Sequence, residues 1–252
     1  MINGDDFWLT KIAGGPYDYP MNGMMLAIST KSGKPLAIIL DNGYLTHLRT
    51  AMAGFICAKY LAPKNIIGIG VIGTGTQAKM QVEILKKITS CKKVYVWGRN
   101  IKKCEAYKIE MYACGFYVVI CNKASDVAQK SNIIITTTSS IEPILFSKDI
   151  QAGTHITAIG ADEPGKQELE SKLIKEADIC VVDSVDQCID HGEVSHAFKE
   201  KLISKSNLRS LASIILEPSK GRSNQNQISI SDLTGVAVQD IQISKSVFEM
   251  IK

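Results

Sequence analysis

Six residues, Gly73-Thr74-Gly75-Thr76-Gln77-Ala78, carry the spacing G-x-G-x-x-A, and the chemistry this suits is holding a pyrophosphate. Gly73 admits a tight turn, Gly75 lets the backbone come close to a phosphate, and Ala78 is small enough for a following helix to pack on a strand. The run 66–72 ahead of them is rich in β-branched residues and reads as a buried parallel strand. After them Ala78, Val82, Leu85 and Ile88 share one helical face, with Lys79, Glu83, Lys86 and Lys87 at polar positions. The helix start then offers free N–H groups and a positive dipole end. Strand, glycine turn and helix in this order point to a dinucleotide rather than an ordinary βα turn.

The next strand, 94–97, is followed by Gly98-Arg99-Asn100, where an NAD enzyme normally places an acidic residue for the ribose hydroxyl. Arg99 suits a 2′-phosphate, which favours NADP(H), although an arginine there also suits stacking on adenine or lying in solvent. Arg49 falls in the first turns of a helix, where the dipole disfavours a cation, so it needs an anion nearby or open water. The four histidines lack zinc-type spacing, and His191 and His196 are five apart, wrong for one helical face. They read as structural or surface residues, with no metal expected. The seven cysteines include no C-x-x-C pair and read as reduced, buried residues of a cytoplasmic protein.

The elements that must position these residues follow from patterning. Strands at 7–12, 24–30 and 35–40 form an antiparallel meander, with a hairpin turn at 31–34 and a loop at 14–20. A helix runs from Leu45-Thr46 to Pro63. Short apolar strands (94–97, 117–121, 133–136, 154–159, 179–182) then alternate with helices near 102–113, 124–129 and 167–176. That alternation predicts a doubly wound parallel sheet of the α/β class, with ligands beyond the C-terminal strand ends at 73–77, 98–100, 136–139 and 160–163. Helices at 190–201 and 208–216, a polar loop at 218–227, a short strand at 228–230 and an amphipathic final helix at 236–251 complete the chain. The final helix is read as core or dimer contact rather than a membrane binder.

Composition narrows the class. The 252 residues are 45% hydrophobic and 21% charged, the balance of a soluble globular protein with a core of ordinary size. A net charge of +4 with interspersed signs is too weak a bias for nucleic acid. No apolar run reaches membrane-spanning length, and the start 1–6 lacks the basic and apolar segments of a signal peptide.

Five ordered segments together resemble the ornithine cyclodeaminase/mu-crystallin family. They are 40–51 (L-D-N-G-Y-L-T-H-L-R-T-A), 72–78, 159–169 (I-G-A-D-E-P-G-K-Q-E-L), 183–193 with Gln187 and Gly192-Glu193, and 232–240 (D-L-T-G-V-A-V-Q-D). The first and last lie nearest the ectoine-utilisation branch of that family. The resemblance implies a Rossmann domain, 63–234, and a smaller α+β substrate and dimerisation domain made of 1–62 and the C-terminal helix 235–252. It implies a homodimer acting on a small amino acid or cyclic imine, by cyclodeamination with internal hydride transfer or by imine reduction, with NAD or NADP.

Carried over residue by residue, the resemblance makes Arg49 the grip on the substrate carboxylate, Lys11 a second contact to the carboxylate or the reacting nitrogen, and Asp162 the catalytic carboxylate. Gly73, Thr74, Gly75, Thr76 and Gln77 hold the pyrophosphate, Arg99 and Asn100 meet the adenosine end, Thr136, Thr137 and Thr138 line the dinucleotide, and Thr234-Gly235 approach the nicotinamide. Without the family, the threonines read as core-facing, Asp162 as salt-bridged and Lys11 as a surface residue. Relatives carry a longer segment ahead of the position of Lys11, including a further carboxylate-binding arginine, and an asparagine and a G-L-P-type stretch where this chain has 14–22. The alternative expectation is therefore a truncated, catalytically inactive, mu-crystallin-like NAD(P)H-binding protein.

Overall fold

The computed structural model describes residues 6–14 and 22–251. The expectations for 1–5 and for most of the 14–20 loop lie outside them. The chain divides into two compact units, Met1–Thr50 with Gly235–Lys252, and Ala51–Thr234.

In the first unit, β1 (Phe7–Gly14), β2 (Asn22–Ser29) and β3 (Pro35–Ile39) form the antiparallel meander expected. Gly33, with φ +69°, makes the turn between β2 and β3. Alternation gives the sheet two unlike faces. Phe7 and Ala27 are buried against Ile241 and Phe248 of the last helix, with Phe7 and Phe248 edge to face at 5.3 Å. On the other face Trp8, Ile12, Met24 and Ile38 are exposed. Ile12 pairs with Met24, and Leu26 with Ile38.

Helix α1 (Tyr44–Leu61) starts where Asn42 and Gly43 both take positive φ, and the Asp41 carboxylate accepts from Leu45 N at 2.5 Å.

In the second unit, eight parallel strands lie in the order β10-β9-β11-β8-β7-β4-β5-β6. They are β4 (Ile69–Ile72), β5 (Lys93–Trp97), β6 (Tyr117–Ile120), β7 (Ile133–Thr136), β8 (His155–Ala158), β9 (Ile179–Val182), β10 (Leu208–Ser210) and β11 (Ser229–Asp232). The central strands are buried on both faces, which is why they read as unbroken apolar runs. Alternate residues divide the core. Ile69, Val71, Ile133 and Ile135 pack with α2 (Thr76–Ile84) and α3 (Ile101–Ala113). Ile72, Ile134, Cys180 and Val182 pack with α4 (Ala124–Lys130) and α5 (Ser171–Glu176) on the opposite side. The fold is therefore the doubly wound α/β sheet with a small antiparallel sheet beside it in the chain.

Several elements differ from those expected. The strand begins at Ile69 rather than 66. Residues 167–170 are extended, not helical, because Glu168 N and Leu169 N donate to the Glu193 carboxylate and Leu169 bridges Leu145. Of the helix expected at 190–201 only α7 (Glu193–Lys199) forms; α6 (Val185–Asp190), not expected, precedes it, and the two are separated at Gly192, whose φ of +128° no helix allows. The helix expected at 208–216 is strand β10 followed by α8 (Leu211–Leu216), which Ser210 caps by accepting from Ser213 N. The last helix, α9, runs Ala237–Ile251.

Candidate active site

The glycine turn lies where β4 ends. The chain leaves β4 toward β5 and β6 on one side and returns to β7 and β8 on the other, so the strand order reverses between β4 and β7. Crevices for ligands open at the carboxyl ends of such a pair. Gly73 has φ +115°, and a β-carbon there would stand 2.5 Å from Thr137 Oγ1. Position 75 is different. Its φ is −81°, which any residue adopts, and a β-carbon there would meet no atom within 4 Å. Nothing in the protein's own packing requires a glycine at 75; the close approach of a ligand to the backbone would. No side chain caps α2, which leaves its first N–H groups to an anion. Ala78 is fully buried, and its carbonyl accepts from Tyr107 Oη at 3.1 Å. These residues fit a dinucleotide pyrophosphate.

The other expected cofactor residues are dispersed in exposure. Thr74 and Gln77 are half-buried and Thr76 is exposed. Arg99 is exposed beyond β5 and has no hydrogen-bond partner among the described residues, whereas Asn100 caps α3 by accepting from Lys103 N at 3.2 Å. Thr136 is fully buried, so Thr137 and Thr138 are the solvent-reaching members of that trio. Thr234 Oγ1 accepts from Gln187 Nε2 at 3.0 Å and donates to Asp183.

Asp162 lies four residues beyond the end of β8, with half its side chain exposed. Lys166 Nζ binds it at 2.8 Å and Glu163 at 3.0 Å. Burial works against the Lys166 charge, but the bonds to Asp162 and Glu163 outweigh it and hold its pKa above the ordinary lysine value.

In the first unit, Lys11 and Arg49 converge on one oxygen. Lys11 Nζ lies 2.9 Å and Arg49 Nε 3.2 Å from Oδ1 of Asp240 on α9. Arg49 Nη1 also donates to Gln239 at 3.1 Å. Asp240 is the anion that the arginine near a helix start demanded. His47 stands near this group. Burial lowers its pKa, the charges of Arg49 and Lys11 lower it further, and Asp41 opposes them.

Sequence reasoning gave no role to a third cluster. Glu168, Glu193 and Asp232 are all buried at 1% exposure or less. Glu168 accepts from Thr138 N at 2.5 Å and Gly160 N at 3.0 Å, Glu193 from Glu168 N and Leu169 N at 2.8 and 2.9 Å, and Asp232 from Val194 N at 3.0 Å. Burial pushes Glu168 and Asp232 up to about 7, against the backbone N–H bonds. It raises Glu193 well above the carboxylate range, with help from the other two charges. The sequence signal was an acidic residue beside glycine in Gly192-Glu193 and an acidic start to Asp232-Leu233-Thr234-Gly235.

The profile of the ornithine cyclodeaminase/mu-crystallin family matches residues 19–252. The chain belongs to this family. Among cyclodeaminase-family relatives, the uncharacterized cyclodeaminase y4tK of Sinorhizobium fredii is 34% identical, over 95% of this chain and 75% of that protein. An archaeal alanine dehydrogenase, solved as a dimer with bound NAD, superimposes with a TM-score of 0.90 at 32% identity, covering 97% of this chain and 77% of the other. The Δ1-pyrroline-2-carboxylate reductase of Thermococcus litoralis, in complex with NADH and L-proline, gives 0.85 at 29%, covering 91% and 71%. Among the described residues no helix is long and apolar enough to cross a membrane.

Proposed function

We propose that this member of the ornithine cyclodeaminase/mu-crystallin family is an NAD(P)-dependent enzyme acting at the α-carbon of a small amino acid or its cyclic imine. The observation that carries the reading is the open space at Gly75, above an uncapped helix start, where strand order reverses. The bound nicotinamide supplies the hydride acceptor or donor. The chain's own residues do the rest. Arg49 grips the carboxylate with a bidentate fork, and Lys11 adds a second cation. Both are already gathered by Asp240, so a substrate carboxylate enters a preassembled pair. Asp162 holds the ammonium and takes the proton its nitrogen loses as the α-carbon becomes an imine carbon. Lys166 keeps that carboxylate in place. In the reductive direction the same proton returns to the nitrogen. Cyclodeamination and imine reduction share this step, so both are carried here.

Arg99, exposed and unpartnered where no carboxylate stands, supports NADP(H) over NAD(H). We assign the apolar sheet face of Trp8, Ile12, Met24 and Ile38 to a second copy of the chain, as the dimeric archaeal alanine dehydrogenase suggests.

The test is a fluorescence titration with NADPH and with NADH, repeated with ornithine, proline and alanine present. Tighter binding of NADPH, perturbed by an amino acid and with the perturbation lost in Arg49→Ala, is the expected result. Cofactor binding that no amino acid perturbs favours the inactive NAD(P)H-binding alternative. Failure to bind either nucleotide overturns both readings.

A further inference from the structure

Burying three carboxylates together is costly, and well-packed apolar residues in their place would be as stable or more so. Their geometry gives a reason for them. Strands β7 and β8 pair in parallel with Thr136 opposite Ala158. The last rung of their ladder is Ile159 N to Thr136 O at 3.1 Å. Two residues past the Thr136–Ala158 pair on each strand stand Thr138 and Gly160, and there the N–H groups of both turn to one acceptor, the Glu168 carboxylate. One oxygen serves each strand end. Gly160 is pressed against this carboxylate: a β-carbon there would lie 2.4 Å from Glu168 Oε2 and 2.2 Å from Thr138 O.

Glu168 is fixed in the same manner. Its own N–H and that of Leu169 are held by the two oxygens of Glu193. Behind Glu193, Asp232 at the end of β11 accepts from Val194 N, and Gly192 makes room for it, since a β-carbon at 192 would lie 2.8 Å from Asp232 Oδ2. Carboxylate follows backbone amide from β11, through the start of α7, to the ends of β7 and β8.

We infer that Glu168 is a positioning residue for the loops that follow β7 and β8, with Glu193 and Asp232 holding it in turn. It sets the separation of Thr138, on the loop read as lining the dinucleotide, from Gly160, two residues before Asp162. The inference rests on the proposed function of those two loops. A glutamine at 168 cannot replace the glutamate, because it presents one acceptor and one NH₂ to two N–H donors.

The experiment compares wild type, Glu168→Gln, Glu193→Gln and the double variant. It measures the Kd of whichever of NADH and NADPH the wild type binds tighter, with steady-state kcat and KM for an amino acid that the wild type turns over. Glu168→Gln is expected to raise the cofactor Kd at least about tenfold and to lower kcat, a double effect because the residue serves both loops. Glu193→Gln is expected to raise Kd less. The double variant should match Glu168→Gln within about twofold, since both act through one chain of contacts. A Glu168→Gln protein that binds cofactor as wild type does, or single effects that multiply in the double variant, overturns the positioning role and leaves the proposed function standing. A wild type that binds neither nucleotide overturns both.

If the variants fail to fold, hydrogen exchange on the wild type decides. Cofactor should slow exchange at Thr138, Gly160, Glu168 and Leu169 together. Slowing at Thr138 alone overturns the inference.

Discussion

A β-carbon at position 235 would stand 2.7 Å from Nη1 of Arg49, and Gly235 itself takes φ +84°. The glycine is thus required twice, by its backbone and by the guanidinium lying on it. Gly235→Ala should displace Arg49 and raise the KM for the amino-acid substrate at least about tenfold, more than it raises the cofactor Kd. Steady-state kinetics beside a fluorescence titration separate the two. Equal losses in both would disconnect Gly235 from the carboxylate grip.

Gly75 is the opposite case, since a side chain there meets nothing in the protein. Gly75→Ala should leave stability unchanged or raise it by about 0.5 kcal/mol, because the unfolded chain loses freedom. The same variant should weaken nucleotide binding at least about tenfold, because the methyl group fills the space where a phosphate approaches. Thermal melts and nucleotide titrations on one sample check both. Unweakened nucleotide binding would remove the main support for the cofactor site.

The buried carboxylates predict an unusual pH dependence. Their folded pKa values lie above the unfolded ones, with Glu168 and Asp232 pushed up to about 7. The stability they confer is full below the unfolded carboxylate range and is lost as pH rises through about 7. His155 acts in the other direction. Burial, with the Arg222 charge, lowers it to about 3, so its contribution grows as pH rises from there to the ordinary histidine range. Above that range only the carboxylate loss remains. Urea midpoints should therefore fall between pH 6.5 and 8, and the fall should be shallower in Asp232→Asn. A flat or rising midpoint would show that the cluster does not hold its protons.

Arg222 fastens the loop before β11. Its Nε donates to Leu61 O at 2.5 Å, Nη1 to Gln227 O at 2.6 Å, and Nη2 to Thr154 O at 3.2 Å and Ser229 Oγ at 2.9 Å. Arg222→Met should cost about 3 kcal/mol by stranding these acceptors, and Arg222→Lys should recover only part. Chemical denaturation measures this, and a cost below about 1 kcal/mol would contradict it.

The sheet face of Ile12 and Ile38 supplies the last prediction. The proposed dimer predicts a wild type that sediments as a dimer and an Ile12→Glu, Ile38→Glu variant that sediments as a monomer, with helix content unchanged; a monomeric wild type would overturn the assignment of this face. A double variant that stays dimeric would place the interface elsewhere.

Patterning along the chain was enough for every strand but β10, for the glycine turn and for the doubly wound class. Those features rest on local periodicity: a strand buried on both faces must be apolar throughout, as Ile133-Ile134-Ile135 is, and a helix packed on it must repeat at Ala78, Val82 and Leu85. The family was legible because five motifs occur in order. Other features depended on contacts distant in sequence. Strand β11 is Ser-Ile-Ser-Asp, weak as a strand, yet it lies between β8 and β9, where both neighbours pair with its backbone, Arg222 bonds the Ser229 hydroxyl and Val194 N bonds the Asp232 carboxylate. Residues 167–170 are extended only because Glu193, more than twenty positions later, takes their amides. Asp240 meets Lys11 across 229 positions, a pairing no spacing rule contains. The same holds for Glu168: that one carboxylate receives an amide from each of two strand ends follows from the register of β7 against β8, which only the folded sheet sets.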